Sequence, residues 1–330
     1  MTNTEKILED EKGSCCVCNK YTKLYLGKKI AVVLPTIRPE SLENFMLEWR
    51  NQFEKYGCDL IVVYDGENPY ARVWDIKEMI PSRKFSVKDI MGNESGLISN
   101  FNSSVRNLGF AFAKKIGGYD VIVTLDDDTL PHGDTIGDHL RMLEKEVPVS
   151  WISTTLVDDN TDYMRGFPYG VRTEWPVMLS HGVWKGVADR DALTQLVAGA
   201  RAPVDFYRGP IPKGILFPFC GMNVAFNIDA LPFVYYCPVG QFKGAERFDD
   251  IWGGIDMKMS FDEESFAVVS GYAMVNHNRA SDPYKNLERE VIGIRENETY
   301  WTGENKNKFF VDFNIKRVRW CQFINSIEKF

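Results

Sequence analysis

The first half of the chain alternates between short apolar runs and stretches in which apolar residues recur at helical spacing. The runs 30–34, 60–64 and 121–125 predict fully buried strands. Between the first two runs, the apolar residues of 42–53 fall on one face of a helix, and Ser41 is placed to cap it. Strand, helix and strand in this order predict a parallel sheet with right-handed crossovers.

The rest of the chain continues this pattern less regularly. Helical stripes precede the third strand, at 105–116, and follow it, at 136–147, and a short strand is predicted at 149–154. In the second half, 155–330, we predict a helix at 191–198, an extended segment at 217–226 and a short strand at 267–270. Long loops connect these elements, and such loops usually carry function. The predicted fold class is α/β, a mostly parallel central sheet flanked by helices, with a loop-rich second half.

Three aspartates, Asp126, Asp127 and Asp128, directly follow the third strand. Like charges at the end of a buried strand repel each other and resist desolvation, which predicts a cation beside them. Carboxylate oxygens suit Mg²⁺ or Mn²⁺, and Mg²⁺ usually completes its shell with water and substrate phosphates. The pattern therefore favours a diphosphate ligand, and a solvated acidic turn is the alternative.

Polar residues also follow the other two buried strands, as Thr36-Ile37-Arg38 and as Asp65-Gly66. Parallel α/β sheets bind ligands at the carboxyl ends of their strands, so these residues predict a nucleotide site shared with the aspartates. Neither G-x-G-x-x-G nor G-x-x-x-x-G-K-[ST] follows a strand, which disfavours a dinucleotide dehydrogenase and a P-loop NTPase.

Composition limits the partners and the location. The chain has 330 residues and a net charge of −7 without a basic run, which argues against nucleic-acid binding. No apolar run approaches the ~18 residues of a spanning helix and the N-terminus is polar, so we expect no membrane span. These two features also predict a cytoplasmic protein, and seven scattered cysteines predict reduced thiols. Cys15 and Cys18 have the spacing of half a zinc knuckle, but no second half follows, so residues 1–28 are interpreted as a loosely held extension.

Two sets of motifs resemble known families. Arg106-Asn107-Leu108-Gly109 is similar to the Arg-Asn-x-Gly element of nucleotide-sugar glycosyltransferases of the GT-A type, whose fold is Rossmann-like. Eight further blocks resemble, in the same order, those of the reversibly glycosylated polypeptides, which are UDP-arabinopyranose mutases. The blocks are Leu34-Pro-Thr-Ile-Arg38, Leu125-Asp-Asp-Asp128, Met164-Arg-Gly-Phe-Pro168, Ser180-His-Gly-Val-Trp184, Ile211-Pro-Lys-Gly-Ile-Leu-Phe-Pro218, Cys220-Gly-Met-Asn-Val-Ala-Phe226, Arg247-Phe-Asp-Asp-Ile-Trp252 and Ala280-Ser-Asp-Pro-Tyr284.

This resemblance implies a metal site and a nucleotide site. Asp126 and Asp128 would hold Mn²⁺ or Mg²⁺ with the diphosphate of a UDP-sugar, and His277 would complete the metal site. Asp127 would support them or reach the ribose. The other nucleotide contacts would come from the strand ends and the helix before the aspartates, at Pro35, Thr36, Arg38, Asp65, Gly66, Arg106 and Asn107. From the residues alone, His277 is also consistent with a packed or capping histidine.

On the sugar side, Arg165 falls on the arginine that the family glycosylates reversibly, and Asp249 and Asp250 would face the sugar. The residues alone allow two other interpretations, a buried ion-pair partner for Arg165 and the first turn of a helix for the acid pair. The chain departs from the family pattern at Phe248, where a tyrosine is expected, at Gly253-Gly254 and in the loop 240–246.

The resemblance covers about 30–290 and implies one GT-A-like catalytic domain, 29–290. Its halves would bind the nucleotide (29–154) and the sugar (155–290), and a tail, 291–330, would pack on it. The implied activity is a mutase that interconverts UDP-arabinopyranose and UDP-arabinofuranose and glycosylates itself reversibly, with a homo-oligomer as a further expectation. Two alternatives remain open: a metal-dependent glycosyltransferase acting on a separate acceptor, and a non-catalytic scaffold that binds a UDP-sugar.

Overall fold

The structure is a computed structural model that describes residues 27–330 except 152–155, 158–159, 162, 187–188, 200–201, 241, 278–281 and 305–306. The predictions made for Cys15 and Cys18 lie outside the described residues. Within them, the strands are β1 (Ile30–Thr36), β2 (Cys58–Tyr64), β3 (Tyr70–Asp75), β4 (Ile80–Pro81), β5 (Phe85–Ser86), β6 (Val121–Leu125), β7 (Thr129–His132), β8 (Glu146–Pro148), β9 (Leu156–Val157), β10 (Asn160–Thr161), β11 (Glu174–Gly186), β12 (Gly209–Pro210), β13 (Asn223–Asn227) and β14 (Ala267–His277).

The α-helices of the described residues cover both faces of the sheet that these strands form. They are α1 (Leu42–Tyr56), α2 (Val87–Met91), α3 (Arg106–Ile116), α4 (Thr135–Leu143), α5 (Ala192–Ala198), α6 (Asp249–Glu263), α7 (Pro283–Glu288), α8 (Val291–Tyr300) and α9 (Lys308–Ser326).

Twelve strands form one mixed sheet, in the order β12-β14-β11-β13-β6-β1-β2-β3-β4, with β5 beside β3, β7 beside β14 and β8 beside β11. The centre is parallel, because β1 pairs with both β2 and β6 in the same direction, and β11 and β14 are also parallel. β13 runs antiparallel between β6 and β11 and joins the two parallel parts. The α/β fold class predicted from the sequence is confirmed.

The three predicted strands are found as β1, β2 and β6, and the reason is their burial on both faces. On one face, α1 packs Phe45, Trp49 and Phe53 as a run of neighbouring rings. On the other face, α3 and α6 contribute to a second apolar core. Strands covered on both sides carry continuous apolar runs instead of alternating ones, which is the pattern that predicted them.

Three local predictions are wrong. The strand expected at 149–154 lies earlier, at β8, and the described residues 149–151 are not in a strand. The helix expected over 136–147 is shorter than predicted: α4 ends at Leu143, and Val147 belongs to β8. Ser41 makes no capping hydrogen bond, because Pro39 starts a 3-10 turn that already gives Ser41 helical backbone angles.

The C-terminal helix α9 packs against the same core as α3 and α6. Trp320 is fully buried, stacks on Tyr235 at 5.2 Å between ring centroids, and donates its indole N–H to the carbonyl of Leu231 at 3.2 Å. Phe310, Phe313 and Ile324 are buried with it. In the described part of the chain, no helix has both the length and the apolar composition needed to cross a membrane.

Candidate functional site

A cavity of about 1110 Å³ opens at the carboxyl ends of β1, β2 and β6. Both halves of the chain line it, because α6, β11 and the end of β14 close it opposite the strand ends. It collects most of the residues predicted as site residues: Pro35, Thr36, Arg38, Asp65, Arg106, Asp126, Asp127, Asp128, Asp249, Asp250 and His277.

The three aspartates after β6 have different surroundings. The side chain of Asp127 is 6% exposed, against 31% for Asp126 and 25% for Asp128. Asp127 accepts a hydrogen bond from the Thr36 hydroxyl at 2.6 Å and forms an ion pair with Arg38. The carboxylate of Asp127 is therefore bound by protein groups, whereas Asp126 and Asp128 keep accessible carboxylate surface toward the cavity.

Arg106 lies beneath this cluster with its guanidinium fully buried. It donates to Asp126 Oδ1 at 2.8 Å, to the Thr124 hydroxyl at 2.7 Å and to the carbonyl of Ser103 at 2.9 Å. Its guanidinium carbon lies 4.9 Å from the ring centroid of Tyr236. Arg106 thus holds one oxygen of Asp126 from the protein side and sets the direction of that carboxylate.

Asp128 and His277 face each other across the cavity wall, with His277 Nε2 4.0 Å from Asp128 Oδ1. Burial and repulsion by Asp126 raise the pKa of Asp128, so a cation beside it would relieve unfavourable charge. His277 Nδ1 is buried without a hydrogen-bond partner among the described residues.

These donors fit a hard divalent ion. No three carboxylate, imidazole or thiolate groups of the described residues are already close enough to hold a metal. Mg²⁺ and Mn²⁺, however, are commonly bound by one or two carboxylates and complete their shell with substrate phosphates and water. Asp126 and Asp128, with His277 beside them, are the residues that would hold such an ion.

A second pair of acids, Asp249 and Asp250, forms the first turn of α6. Asp249 is buried and accepts a hydrogen bond from the backbone N–H of Ser104 at 3.2 Å. Burial raises the pKa of both carboxyls, and repulsion by Asp249 and Asp189 raises that of Asp250 further. The positive end of the α6 dipole and Arg106 and Arg247 partly offset this. The pair can therefore hold a proton near neutral pH. Asp249 and Asp250 are both the first turn of a helix and acids that line the cavity, so the two interpretations made from the sequence hold together.

Asp65 also lines the cavity, but two other predicted nucleotide contacts, Gly66 and Asn107, do not. Asp65 Oδ1 accepts from the backbone N–H groups of Gly66 at 2.7 Å and Phe101 at 2.9 Å, and this closes the loop after β2. Gly66 does not line the cavity and has φ +152°, a backbone conformation that favours glycine. Asn107 is in the core, where its amide bonds both the N–H and the carbonyl of Tyr236.

Arg165 is not brought to the cavity. Its side chain is exposed, in a turn in which Phe167 N–H donates to the carbonyl of Met164 at 3.2 Å. Next to this turn, Trp151, Tyr163 and Phe167 form a stack of rings. The exposure of Arg165 rules out the alternative of a buried ion-pair partner.

Several cavity residues were missed by the reasoning from sequence, notably His181, Trp184, Asp189, Arg247 and Glu290. Arg247 pairs with Glu290 at 2.7 Å and so links the segment before α6 to the segment before α8. His181 and Trp184 belong to one of the eight sequence blocks, and the block was the available indication. Their shared direction could not be read from the sequence, because strand residues of opposite parity normally face opposite sides.

The comparisons with known proteins agree on one family. A family model described as "Reversibly glycosylated polypeptide" matches residues 26–307. The chain is 34% identical over 284 residues to the probable UDP-arabinopyranose mutase 1 of Pisum sativum, and this match covers 82% of the chain and 75% of that protein. It is 33% identical over 284 residues to UDP-arabinopyranose mutase 3 of Arabidopsis thaliana, with 82% and 75% covered.

Solved structures with similar folds are more distant. Mannosyl-3-phosphoglycerate synthase from Rubrobacter xylanophilus is 15% identical, with a TM-score of 0.47 over 88% of this chain and 80% of that one. Glucosyl-3-phosphoglycerate synthase from Mycobacterium tuberculosis, solved with Mn²⁺, UDP and glucosyl-3-phosphoglycerate, is 16% identical, with a TM-score of 0.43 over 88% and 85%.

Proposed function

The chain belongs to the reversibly glycosylated polypeptide family, and from that premise we propose that it is a UDP-arabinopyranose mutase of the GT-A type. The proposed reaction interconverts UDP-arabinopyranose and UDP-arabinofuranose. One observation carries the proposal: a single cavity holds a strand-end aspartate cluster suited to a metal diphosphate and, on α6, a buried acid pair suited to proton transfer.

The aspartate cluster would position the diphosphate. A divalent ion held by Asp126, Asp128 and His277, Mn²⁺ or Mg²⁺, would neutralise the charge that develops on departing UDP. Asp127 acts indirectly, because Arg38 and Thr36 bind its carboxylate and fix the strand end. Pro35, Thr36, Arg38 and Asp65 would then line the uridine end of the cavity.

The acid pair on α6 would handle protons during ring contraction. The bond between C1 and the diphosphate oxygen breaks with its electron pair leaving on UDP, and an enzyme group or the reoriented UDP captures the sugar. The ring oxygen then gains a proton as its bond to C1 breaks, and another hydroxyl loses one as it bonds C1. Because the raised pKa values let Asp249 and Asp250 share a proton near neutral pH, they can both accept and return it. Where an enzyme group holds C1, UDP finally attacks C1 and that group leaves with the electron pair of its bond.

Self-glycosylation of Arg165 is part of the proposal. Since Arg165 is exposed and outside the cavity, a sugar must reach it either by movement of residues 163–173 or from the cavity of a second copy in a homo-oligomer. Incubation with the UDP-sugar should add one sugar mass to the peptide that contains Arg165, and excess UDP should remove it. Labelling of another residue in the wild-type protein would contradict this assignment.

A cytoplasmic location completes the proposal. The cysteines of the described residues, at 58, 220, 237 and 321, are free thiols, which is the usual state in a reducing compartment.

The test of the activity is incubation of the protein with UDP-arabinopyranose and Mn²⁺ in the absence of any acceptor. We expect UDP-arabinofuranose to appear, as measured by chromatography of the nucleotide sugars. Transfer that occurs only when a saccharide or protein acceptor is added would support the glycosyltransferase alternative. Binding of the UDP-sugar without any turnover would support the scaffold alternative.

A further inference from the structure

Two side chains of β11 line the same cavity, on either side of a shift in its pairing with β14. His181 and Trp184 both line it, although a regular strand would direct them to opposite faces. The register between β11 and β14 shifts between His181 and Val183, where two positions along β11 pair with four along β14, from Ser270 to Met274. Gly182 lies at the shift, where a Cβ would come within 2.0 Å of Asn223 Nδ2 and 2.9 Å of the carbonyl of Ala273.

A buried polar network packs against β11 at this register shift. Asn223 Nδ2 donates to the carbonyls of Val183 at 3.2 Å and Ala273 at 3.4 Å, so its Oδ1 faces His139 Nε2 at 2.8 Å. His139 Nδ1 then accepts from the Ser180 hydroxyl at 2.9 Å. Both nitrogens of His139 therefore have partners, and the network accounts for a histidine that is buried with no access to the cavity.

His181 differs from His139 because only one of its nitrogens has a partner. Its Nδ1 bonds the Ser270 hydroxyl at 2.9 Å, whereas Nε2 is buried without a partner among the described residues. Trp184 Nε1 is also buried without a partner among the described residues. The rings of His181 and Trp184 meet edge to face, with 6.2 Å between their centroids. Phe217 packs on His181 at 5.3 Å. Two unpaired polar atoms in an aromatic wall are costly unless a ligand pairs them.

The chemistry of this wall favours a neutral polyol. Burial lowers the pKa of His181 to about 3, so its imidazole is uncharged at physiological pH and offers no charge to a phosphate. A hydroxyl group both donates and accepts, so it can pair with the indole N–H and with either tautomer of the imidazole. The faces of a sugar ring also pack well against aromatic rings.

We propose that His181 and Trp184 bind hydroxyl groups of the sugar and determine which sugar the cavity accepts. This inference rests on the proposed function, in that the ligand of the cavity is a UDP-sugar. Gly182 and Asn223 are positioning residues, because their close packing and the bonds of Asn223 to Val183 and Ala273 hold β11 between the two rings. Ser270 is a positioning residue for the imidazole.

The experiment compares the affinities of UDP and of UDP-arabinopyranose by calorimetry in the presence of Mn²⁺. His181→Phe keeps the aromatic packing and removes both nitrogens. It should lower the affinity for UDP-arabinopyranose about tenfold and change the affinity for UDP by less than about twofold. Trp184→Phe should act in the same direction. The matched controls are His132→Phe and Trp175→Phe, which alter residues outside the cavity lining and should leave both affinities unchanged.

Two further measurements test the inference even if His181→Phe does not fold. Ser270→Ala keeps the imidazole of His181 but removes the hydroxyl that orients it. It should weaken the binding of UDP-arabinopyranose, and not that of UDP, by a smaller factor than His181→Phe does. In the wild-type protein, which has four histidines, ¹⁵N NMR should show one neutral imidazole that responds to UDP-arabinopyranose and not to UDP. An equal loss for both ligands in His181→Phe, or no loss for either, would overturn the inference while leaving the mutase proposal intact. Failure of the wild-type protein to bind either ligand would overturn both.

Discussion

At the scale of single residues, two arginines decide which aspartates of the β6 end are available to a ligand. Arg38 pairs with Asp127 and also lies 3.5 Å from one oxygen of Asp128, and Arg106 pairs with one oxygen of Asp126. The guanidinium group remains protonated, so neither arginine loses its charge at a working pH. The sequence identified both arginines as site residues. It could not show that they contact the acids, because position in a chain carries no information on where a long side chain points.

The accessible aspartates should control metal binding. Asp126→Ala and Asp128→Ala should each weaken Mn²⁺ binding, measured by electron paramagnetic resonance with UDP present, and should lower turnover by at least about a hundredfold. Asp120→Asn, at the amino end of the same strand, is the control and should bind Mn²⁺ like the wild-type protein. Full activity in the presence of excess chelator would contradict the predicted metal requirement.

The acid pair of α6 should make stability depend on pH. A carboxyl whose pKa is raised in the folded protein binds its proton more tightly there than in the unfolded chain, so stability is highest at low pH and falls as pH rises through the folded pKa. Asp250→Asn has no charge to bury, so its melting temperature should exceed that of the wild-type protein by a few degrees at about pH 8 and by less at about pH 5. The variant should nevertheless lose mutase activity.

The control for this pH effect is Asp205→Asn, since Asp205 is exposed and pairs only loosely with Arg208. It should show no pH-dependent gain. A gain of equal size at both pH values for Asp250→Asn would mean that the carboxyl is not protonated more readily in the folded protein.

At the scale of elements, two glycines let α6 approach the backbone beneath the cavity. A Cβ on Gly254 would lie 2.7 Å from the amide nitrogen of Phe219, and one on Gly253 would lie 3.0 Å from the carbonyl oxygen of Tyr235. Glycine inside a helix costs about 0.5–1 kcal/mol relative to alanine, and here close packing offsets that cost. The approach brings Asp249 and Asp250 to the cavity. The glycine pair was recognised in the sequence as a departure from the family pattern, but its packing partner was not.

Gly254→Ala should therefore destabilise the protein despite the better helix propensity of alanine. The methyl group meets backbone, which cannot move aside easily, so we expect a loss of roughly 1–3 kcal/mol in urea unfolding together with reduced turnover. Gly96→Ala is the control, since a Cβ there meets nothing within 4 Å, and it should change stability little.

Element prediction succeeded where a buried strand is apolar and failed where a buried strand carries polar residues. β1, β2 and β6 are buried on both faces and carry unbroken apolar runs. β11 went unpredicted because its buried stretch includes Ser180 and His181, which are polar residues paired inside the protein. Hydrogen-bonded polar groups in a core are invisible to a hydrophobic pattern, since their partners lie far along the chain.

At the scale of the whole molecule, residues from both ends of the described chain complete one core. α9 contributes Phe310, Phe313, Trp320 and Ile324 to the apolar layer that supports α3 and α6. The tail was expected to pack on the domain, but its depth of burial was not predictable, because its apolar residues are spaced among many exposed ones.

Trp320→Ala should destabilise the whole molecule by about 3–5 kcal/mol, because it leaves a large cavity and removes the indole donor to the Leu231 carbonyl. Chemical denaturation measures this loss. The matched control is Trp301→Ala, since Trp301 is 53% exposed, and it should cost less than about 1 kcal/mol. Comparable losses in the two variants would mean that α9 is not an integral part of the core.

The central claim is that the two walls of one cavity, the strand-end aspartates and the acid pair of α6, together break and remake the bond between the sugar and UDP. Positional isotope exchange tests it most directly. UDP-arabinopyranose carrying ¹⁸O in the oxygen between C1 and the β-phosphorus is incubated with the protein and Mn²⁺, without acceptor, and the recovered nucleotide sugars are analysed by ³¹P NMR. The account predicts that ¹⁸O spreads to the non-bridging β-phosphate positions while UDP-arabinofuranose forms. Formation of the furanose with all of the label retained in the bridge would contradict it.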